Sequence, residues 1–518
     1  MSILSACLPD STTSSLTLTI SPAGFWTQAL RWKVLSETAG GPGIIVGNWT
    51  RQRSRRDVSV SEYKVVNPAT NETEREFATA TDAEVDQALE RSAQAFQSWR
   101  TSAKDERAKV LRRVAELYKE RIDDLAALIT REMGKPTPEA KGEIHLVASI
   151  YRYYAEQGPA LLADTPLSPR AGGQAVIRKE PIGPLLGIMP WNYPYYQVAR
   201  FAAPNLMAGN TIILKHAPQD PESALAMEQI FRDAGLPQDA YINIFATNSQ
   251  VADMIADPRI AGVSVTGSER AGAAVAEVAG RNLKKVVLEL GGSDPFIVLD
   301  SDDIAKTVKD AVMGRMGNAG QACTAAKRMI VVGDLYDEFV SQFTAAMAAL
   351  RPGDPTDPAS NLGPLSSETA AERLMGQIGD AVDKGATLRT GGKRLDRPGA
   401  FVEPTVLTDV TPQMRAYHEE LFGPAAVIYR VADAAEAVNL ANSSPFGLGG
   451  AVYSADPERA QEVADMLDTG MVWINSPTGS MADLPFGGTK RSGVGRELGP
   501  EGVNEFVNKK LIYTPAPR

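Results

Sequence analysis

The sequence predicts an α/β protein whose main feature is a doubly wound parallel sheet. From Gly183 onward, short apolar runs alternate with segments of helical periodicity, which is the pattern of consecutive strand–helix–strand units. These runs are apolar at successive positions, as expected of strands that are buried on both faces. The chain has 518 residues, 43% hydrophobic and 22% charged, which fits an ordinary globular protein of two or three domains.

Residues 1–57 differ from the rest of the chain. They contain the runs STTSS and GGPG and a basic stretch from Arg51 to Arg56, without a helical or strand period. A secretory signal is excluded because no basic region precedes the apolar residues and Asp10 interrupts them early. We interpret this segment as a poorly ordered N-terminal extension. It could instead be a targeting segment, or the result of a start assigned too far upstream.

Two helices are predicted ahead of the sheet. Thr81 and Glu84 form the pattern of a capping box, and apolar residues follow at helical spacing as far as Trp99. A second helix is predicted over residues 106–133, and Gly134 is placed to end it.

The part of the chain that follows predicts the sheet, strand by strand. The apolar runs TIILK, YINIFA, GVSVTG and KVVLEL are the predicted strands, at residues 211–215, 241–246, 262–267 and 285–290. Helices are predicted between them at residues 222–234, 250–256 and 271–279. A second α/β run extends from Phe296 to about Phe486 and begins with a helix over residues 304–316. Parallel sheets of this kind bind ligands beyond the carboxyl ends of their strands, so functional residues are expected there.

Composition excludes several classes of protein. A net charge of −10 argues against a nucleic-acid or anionic-membrane partner, and no apolar run approaches the roughly 18 residues that cross a bilayer. Two cysteines cannot build a disulfide framework and indicate a reducing compartment, which predicts a cytoplasmic protein. Because His145, His216 and His418 are scattered, no metal site is expected, and any general base is expected to be a carboxylate.

Three residues are candidates for chemistry. Cys323 lies in NAGQACTAAKR, where Gly320 and small neighbours leave room around the sulfur, although a lone cysteine is commonly an inert buried residue. Glu289 ends an apolar strand, where burial would raise its pKa toward that of a general base; it could instead be a strand end that faces solvent. Asn192 in PWNYP is either a turn former or an amide donor to an oxyanion.

Residues 267–272, GSERAG, follow a predicted strand and open a helix. A glycine turn at a helix N-terminus suits a pyrophosphate. The segment is neither the GxGxxG fingerprint nor a Walker loop, so it is not specific on its own.

Taken together, these segments resemble the aldehyde dehydrogenase superfamily. The resemblance covers about residues 63–512 and consists of blocks that occur in the order of the family. The blocks are VNPAT at Val66, PWNYP at Pro190, GNTIILK at Gly209, VTGS at Val265, LELGG at Leu288, GQAC at Gly320, EELFGP at Glu419 and PFGGTKRSGVGREL at Pro485. The resemblance implies an NAD(P)-dependent oxidoreductase with a Rossmann-type cofactor domain, an α/β catalytic domain and a small β oligomerisation element.

By this resemblance, Cys323 is the nucleophile that forms a thiohemiacetal and then a thioester. Glu289 activates the water that hydrolyses the thioester, and the Asn192 side chain with the Cys323 N–H forms the oxyanion hole. The residues implied for the cofactor are Trp191, Lys215, Gly267, Ser268, Leu290, Glu420 and Phe422. Many NAD-preferring relatives carry a glutamate where this chain has Pro218. Without that carboxylate the 2′-phosphate of NADP is not repelled, so the implied cofactor is NAD or NADP.

Arg200 and Ser480 bear on the substrate. Both match positions that hold the substrate carboxylate in succinate-semialdehyde dehydrogenases, and an arginine can bind a carboxylate through two parallel hydrogen bonds. They could instead be a helix-surface arginine and a plain loop serine. Some members carry another arginine where this chain has Gly317, and whether the nearby Arg315 replaces it is open.

The block around Cys323 looks most similar to bacterial NAD(P)-dependent succinate-semialdehyde dehydrogenases, which predicts succinate semialdehyde as the substrate. The competing interpretations are a glutarate-semialdehyde or broad-specificity dehydrogenase, a CoA-acylating enzyme and a scaffold without activity.

The resemblance also divides the chain. Residues 58–157 and 178–290 are expected to form the NAD(P)-binding domain, and residues 291–486 the catalytic domain. Residues 158–177 and 487–518 are expected to form the oligomerisation element, in which KLIYT can add a strand to a neighbouring subunit. A homodimer or homotetramer that acts on a small-molecule aldehyde is the expected assembly.

Overall fold

A computed structural model describes residues 62–517 and the backbone of two short strands nearer the N-terminus. These strands, β1 (Thr19–Ile20) and β2 (Gln28–Ala29), pair antiparallel within a unit of residues 1–60. The remainder of the predicted N-terminal extension, residues 1–57, lies outside the described residues. A second compact unit, residues 61–518, carries the other elements.

Strands and helices alternate along much of this larger unit. Its strands are β3 (Tyr63–Asn67), β4 (Glu72–Phe77), β5 (Thr165–Leu167), β6 (Gln174–Pro181), β7 (Pro184–Met189), β8 (Thr211–His216), β9 (Tyr241–Asn243), β10 (Gly262–Thr266), β11 (Lys285–Glu289), β12 (Asp294–Val298), β13 (Ala326–Val332), β14 (Thr387–Thr390), β15 (Thr405–Thr408), β16 (Ala425–Val431), β17 (Phe446–Gly447), β18 (Ala451–Tyr453), β19 (Trp473–Ile474), β20 (Thr489–Lys490), β21 (Gly493–Val494) and β22 (Val507–Thr514).

The helices connect these strands. They are α1 (Asp82–Trp99), α2 (Lys104–Glu120), α3 (Ile122–Met133), α4 (Thr137–Leu161), α5 (Pro194–Ala208), α6 (Pro221–Asp233), α7 (Asn248–Ala256), α8 (Glu269–Arg281), α9 (Ile304–Met316), α10 (Gly333–Ala348), α11 (Glu368–Asp383), α12 (Arg415–His418), α13 (Ala434–Asn442), α14 (Pro457–Asp465) and α15 (Gly499–Gly502), with a 3-10 turn at Gly317–Gly320.

The first large sheet has six strands in the order β21-β11-β10-β7-β8-β9. Strands β7 to β11 pair in parallel, and only the edge strand β21 is antiparallel. Ile212 and Leu214 of β8 pack in one core cluster with residues of α5, whereas Ile213 packs in another with Val85 and Leu89 of α1. Because successive residues of a strand point to opposite faces, helices cover both faces of this sheet. The predicted doubly wound α/β fold is confirmed.

The second large sheet has seven strands in the order β14-β15-β16-β13-β12-β18-β19. All its pairs are parallel except β14 with β15. It encloses a hydrophobic core of its own, separate from the cores of the first sheet. The chain crosses from one sheet to the other between β11 and β12, so the carboxyl end of β11 and the segment before β13 lie near this crossing.

A third, antiparallel sheet has the order β22-β6-β5. Strand β22, which contains KLIYT, pairs along all eight of its residues with β6 of the same chain. Leu511 and Tyr513 on β22 are 62% and 46% exposed, which is high for large apolar side chains. Addition of this strand to a neighbouring subunit stays a prediction.

The predicted ends of the first helices are confirmed. Glu84 N–H donates to Thr81 Oγ1 at 3.3 Å, and Thr81 N–H donates to Glu84 Oε2 at 2.7 Å, which completes the capping box of α1. Gly134 follows α3 with a left-handed φ of 80°.

The single helix predicted over residues 106–133 was wrong. This segment forms α2 and α3, which meet at Arg121, where φ is −109° and ψ is 19°. Asp123 and Asp124 lie in the first turn of α3, where carboxylates interact favourably with the free N–H groups of a helix start. The apolar spacing continues through the break, so periodicity alone did not reveal it.

Across the described ranges, no helix combines the length and the apolar character needed to span a membrane. The longest, α4, has 25 residues but includes charged side chains such as Glu139, Lys141 and Glu143.

Candidate active site

Cys323 lies in a tightly folded loop between α9 and β13. The 3-10 turn before it holds Asn318 and Ala319 in left-handed backbone conformations, with φ of 55° and 54°. Gly320 follows with φ of 75°, and a Cβ atom there would lie 2.4 Å from the Gly423 carbonyl oxygen. Left-handed backbone is costly for residues other than glycine and persists where the surroundings enforce it. The turn therefore presents Cys323, a free and half-buried thiol, in a fixed place.

Arg315 fastens this loop to the segment before β16. Its fully buried guanidinium donates to the carbonyl oxygens of Gly320 at 3.2 Å, Leu421 at 2.8 Å and Ala425 at 2.8 Å. These bonds satisfy buried main-chain acceptors, which is a structural role. Arg315 therefore does not replace the substrate-binding arginine that some relatives carry at the position of Gly317.

Asn192 precedes α5 and is buried against the same loop. Its Nδ2 donates to the Gln321 carbonyl oxygen at 3.0 Å, and Asn318 Nδ2 donates to the Asn192 carbonyl oxygen at 2.8 Å. The Ser366 N–H donates to Gln321 Oε1 at 2.9 Å, so the acceptor of Asn192 is itself held. A side-chain amide nitrogen carries two hydrogens. One of them is used in the bond to the Gln321 carbonyl oxygen, which fixes the Asn192 side chain.

Glu289 is the last residue of β11 and is buried. Neither of its carboxyl oxygens has a hydrogen-bond partner within the described part of the chain. Burial is the main cause that raises the pKa of Glu289 well above its usual range; Glu497 raises it further and Arg200 opposes both. A Cβ atom on Gly487 would lie 2.8 Å from Glu289 Oε1, so only glycine leaves room for the carboxyl group. A carboxylate of raised pKa is well suited to take a proton from water.

Opposing charges surround the Cys323 thiol. Although the side chain is partly open to solvent, the surrounding protein raises the pKa of the thiol to about 11, mainly through burial. Arg200 and Lys327 lower this pKa, whereas Glu420 and Asp294 raise it. A cysteine reacts as the thiolate, so Arg200 and Lys327 are the groups that favour its reactive form.

Lys215, Gly267 and Ser268 lie at the carboxyl ends of β8 and β10, on either side of β7. Ser268 caps α8 and accepts a hydrogen bond from the Ala271 N–H at 3.3 Å. A Cβ atom on Gly267 would meet nothing closer than 4.0 Å, so the space before this helix start is open. The buried Lys215 Nζ lies 5.7 Å from the centroid of the Tyr63 ring. An open helix N-terminus suits a phosphate group.

Glu420 lies between Gly292 and Lys327. Its Oε1 accepts a hydrogen bond from the Gly292 N–H at 3.2 Å and lies 3.1 Å from Lys327 Nζ. A Cβ atom on Gly291 would lie 2.4 Å from Glu420 Oε2. The Glu420 carboxylate therefore occupies space that is left by the missing side chain of Gly291, and the main chain of Gly292 holds it there.

Apolar side chains complete the region proposed for the cofactor. Trp191 and Phe422 pack edge to face, with ring centroids 5.7 Å apart and an interplanar angle of 84°. Leu290 packs on α8 opposite Gly272, where a Cβ atom would come within 2.6 Å of the leucine side chain. These contacts bring Trp191 next to Phe422, and Leu290 next to Gly272 of α8, from separate parts of the sequence.

Arg200 and Ser480 are brought together by a third residue. The Tyr196 hydroxyl lies 2.7 Å from Ser480 Oγ and 3.5 Å from Arg200 Nη1. Arg200 is fully buried, with Nε 2.8 Å from Glu497 Oε2 and Nη2 donating to Thr266 Oγ1 at 3.2 Å. The interpretation of Arg200 as a helix-surface arginine is wrong. Its charge is already paired, so Tyr196 is the group that extends this site toward Ser480.

Tyr196, Lys327 and Glu497 are site residues that sequence reasoning missed. Tyr196 precedes Arg200 by one helical turn on α5, so helical spacing could have placed it on the same face. Lys327 and Glu497 owe their positions to contacts between distant segments, which no spacing reveals. Within the described residues, no group of three or more His, Cys, Asp or Glu side chains is arranged to hold a metal ion.

Comparisons with known proteins show which family the chain is similar to. The family model described as "Aldehyde dehydrogenase family" matches residues 55–512. A succinate-semialdehyde dehydrogenase [NADP(+)] from Deinococcus radiodurans is 60% identical over 450 residues, which are 87% of this chain and 94% of that protein. Succinate-semialdehyde dehydrogenase [NADP(+)] 1 from Mycobacterium tuberculosis is 46% identical over 450 residues, covering 86% and 98% of the two chains.

A solved structure is also similar. Succinic semialdehyde dehydrogenase from Streptococcus pyogenes, in complex with NADP+, is 43% identical and superimposes with a TM-score of 0.86, covering 88% of this chain and 100% of that one. Sequence and structure thus identify the chain as a member of the aldehyde dehydrogenase family.

Proposed function

We propose that the protein oxidises succinate semialdehyde to succinate, with NADP+ as the hydride acceptor. The observation that carries the proposal is the site of Arg200, Tyr196 and Ser480, where two hydroxyls lie beside a buried arginine whose charge is shared with Glu497. Succinate semialdehyde has a carboxylate at the end opposite to its aldehyde, and such a site suits a carboxylate. The names of the relatives from D. radiodurans, M. tuberculosis and S. pyogenes support the same substrate.

The reaction divides between three side chains. The Cys323 thiolate adds to the aldehyde carbon, and the carbonyl oxygen becomes an alkoxide that accepts hydrogen bonds from Asn192 Nδ2 and the Cys323 N–H. The cofactor, when bound, supplies the acceptor for the hydride that leaves this carbon, and a thioester on Cys323 results. Glu289 then takes a proton from water as the water oxygen attacks the thioester. The Cys323 thiolate leaves, and the acid is released.

Residues of this chain fit a dinucleotide. The open space before Gly267, the capped start of α8 and the cradled Glu420 carboxylate are the observations that support the fit. We assign Lys215 to the adenosine ribose, Gly267 and Ser268 to the pyrophosphate, and Glu420 to the nicotinamide ribose. The nicotinamide pocket is assigned to Trp191, Leu290 and Phe422.

Pro218 permits the binding of NADP+ as well as NAD+. It lies three residues after Lys215, and its carbonyl oxygen accepts a hydrogen bond from the Lys64 N–H at 3.0 Å. A proline side chain carries no charge, so this position does not repel a 2′-phosphate as a carboxylate would. The names of the relatives from D. radiodurans, M. tuberculosis and S. pyogenes give NADP+, so we expect a higher kcat/KM with NADP+ than with NAD+.

The test is to follow formation of reduced cofactor with succinate semialdehyde, acetaldehyde and betaine aldehyde. Wild type should turn over succinate semialdehyde most efficiently and without CoA, and Cys323→Ala should be inactive. Near-normal rates for Cys323→Ala would refute the thioester mechanism. An absolute need for CoA would replace hydrolysis by acyl transfer, against the role given to Glu289.

The same assay distinguishes succinate semialdehyde from the competing substrates. Equal efficiency with all three aldehydes would indicate broad specificity, and a higher kcat/KM with glutarate semialdehyde would move the assignment to the substrate with one more methylene. No turnover with any aldehyde would leave a scaffold without activity.

We further propose the division into domains given by the resemblance. An NAD(P)-binding domain of residues 58–157 and 178–290 is supported by β7 to β11, and a catalytic domain of residues 291–486 by β12 to β19. The oligomerisation element of residues 158–177 and 487–518 is supported by β5, β6 and β22. The structure does not follow these boundaries everywhere: α4 runs on to Leu161, β6 extends from Gln174 to Pro181, and β21 joins the six-stranded sheet. A homodimer or homotetramer and a cytoplasmic location stay predictions.

A further inference from the structure

We propose that Lys327 is a positioning residue that sets the geometry and the reactivity of the Cys323 loop, and that Glu420 modulates it by sharing its charge. The proposal rests on the role of Cys323 as the nucleophile and not on the identity of the substrate.

The strand that carries Lys327 is bulged at this residue. Between β12 and β13, Asp294 lies opposite Ala326 and Pro295 lies opposite Arg328, so Lys327 has no opposite residue in β12. A bulge of this kind turns a side chain away from the regular alternation of a strand. Lys327 is therefore free of the sheet pairing that fixes its neighbours.

The ammonium group of Lys327 contacts main-chain carbonyl groups of the loop that carries Cys323. Lys327 Nζ donates to the carbonyl oxygens of Ala322 and Cys323, each at 2.9 Å, and lies 3.4 Å from that of Ala325. It also lies 3.1 Å from Glu420 Oε1. Because the Lys327 side chain is 1% exposed, water does not supply these contacts. Removing the amine would leave the buried carbonyls on both sides of Cys323 without this donor, which is costly.

The neighbouring Arg328 forms its hydrogen bonds with other segments of the chain. Arg328 donates to the carbonyl oxygens of Ser293, Leu440 and Ala441, each at 2.9 Å, away from the nucleophile. Lys327 is thus the cation that both contacts the Cys323 main chain and acts on its thiol.

Several elements contribute titratable or charged groups that face Cys323. They are Arg200 of α5, Lys327 of β13, Asp294 of β12, Glu420 of the segment before β16, and the hydroxyls of Tyr193 and Tyr196. A nearby positive charge favours the thiolate and a negative one disfavours it. Since Glu420 balances part of the Lys327 charge, neutralising Lys327 should raise the thiol pKa, whereas neutralising Glu420 should lower it. A residue with a purely structural role would not produce opposite shifts.

The experiment measures alkylation of Cys323 by iodoacetamide as a function of pH in the full-length, substrate-free enzyme. Mass spectrometry of the Cys323 peptide separates its signal from that of Cys7. We expect Lys327→Met to move the midpoint upward by about one pH unit and to slow alkylation about tenfold at neutral pH. Glu420→Gln should move the midpoint downward, and Lys327→Arg should stay closer to wild type than Lys327→Met does.

Lys306→Met is the matched control, because Lys306 pairs with Asp310 on the surface and its side chain is 61% exposed. This variant should leave the midpoint unchanged. An unchanged midpoint in Lys327→Met, or an upward shift in Glu420→Gln, would overturn the proposal. If Lys327→Met does not fold, as judged by circular dichroism, the downward shift in Glu420→Gln decides the question.

Discussion

Tyr196→Phe removes a single oxygen atom from the proposed carboxylate site. That hydroxyl lies 2.7 Å from Ser480 Oγ and 3.5 Å from Arg200 Nη1, while the ring keeps its edge contact with Phe486. Arg200 itself is a poorer target. Loss of its guanidinium would leave Glu497 as an uncompensated buried charge, at a cost of about 3–5 kcal/mol in folding free energy.

The magnitudes favour a folded variant with a selective defect. An ordinary interior hydrogen bond contributes about 1 kcal/mol to stability, so Tyr196→Phe should remain folded. A hydrogen bond to a charged carboxylate contributes about 1.5–3 kcal/mol. At about 1.4 kcal/mol for each factor of ten, kcat/KM for succinate semialdehyde should fall about 10- to 150-fold. Acetaldehyde has no carboxylate, and its kcat/KM should change less than about threefold.

The assay compares kcat/KM for both aldehydes in wild type, Tyr196→Phe and Tyr195→Phe. Tyr195 precedes Tyr196 on α5 and packs against Tyr118 instead, so Tyr195→Phe should affect both aldehydes equally. Equal losses for both aldehydes in Tyr196→Phe would refute the carboxylate site. So would an unchanged kcat/KM for succinate semialdehyde.

Three further predictions follow from burial and backbone conformation. Glu289→Gln should slow steady-state turnover more than the first hydride transfer, because the carboxylate acts on the thioester; stopped-flow traces without a burst in this variant would contradict that order. Gly320→Ala should lower the free energy of unfolding in urea by about 2 kcal/mol or more, since its φ is 75° and its Cβ would meet the Gly423 carbonyl at 2.4 Å. Gly317→Ala is the control, with nothing within 4 Å of its Cβ, and an equal loss in both variants would refute the steric argument. Burial raises the pKa of Asp294 to about 7 from an ordinary 3.8. Stability from its protonated carboxyl is therefore full below pH 4 and lost as pH rises through about 7, so the melting temperature of Asp294→Asn relative to wild type should increase from pH 5 to pH 8, and a constant difference would count against the shift.

Much of the fold could be predicted from local patterns. Fully buried strands such as β8 and β10 are apolar at nearly every position, and this pattern distinguishes a parallel sheet covered on both faces. Capping residues and terminal glycines marked the ends of α1 and α3, because their effects act within one helical turn. The break at Arg121 escaped this reasoning because the apolar face continues through it.

Less of the candidate site could be predicted from local sequence patterns. Taken one at a time, Cys323, Glu289 and Asn192 each have a structural interpretation as well as a catalytic one. Their catalytic roles are implied by the resemblance, which rests on sequence blocks that occur in the order of the family. Because the three histidines are scattered, the sequence nevertheless predicts a carboxylate base. Among the described residues the buried Glu289 carboxyl has no hydrogen-bond partner, and burial gives it the raised pKa that such a base requires.

Sequence by itself determined the α/β class, the family and the residue types available for catalysis. Periodicity and short motifs involve residues that are close together in the sequence, so they can be recognised without the tertiary structure. Only the tertiary structure decided how the charges of the site are balanced. Arg200 meets Glu497 from a distant part of the sequence, and Lys327 reaches Glu420 through a bulge in β13. Such pairs form where two segments bury their charges against each other, and the energy of that burial depends on the surroundings in space.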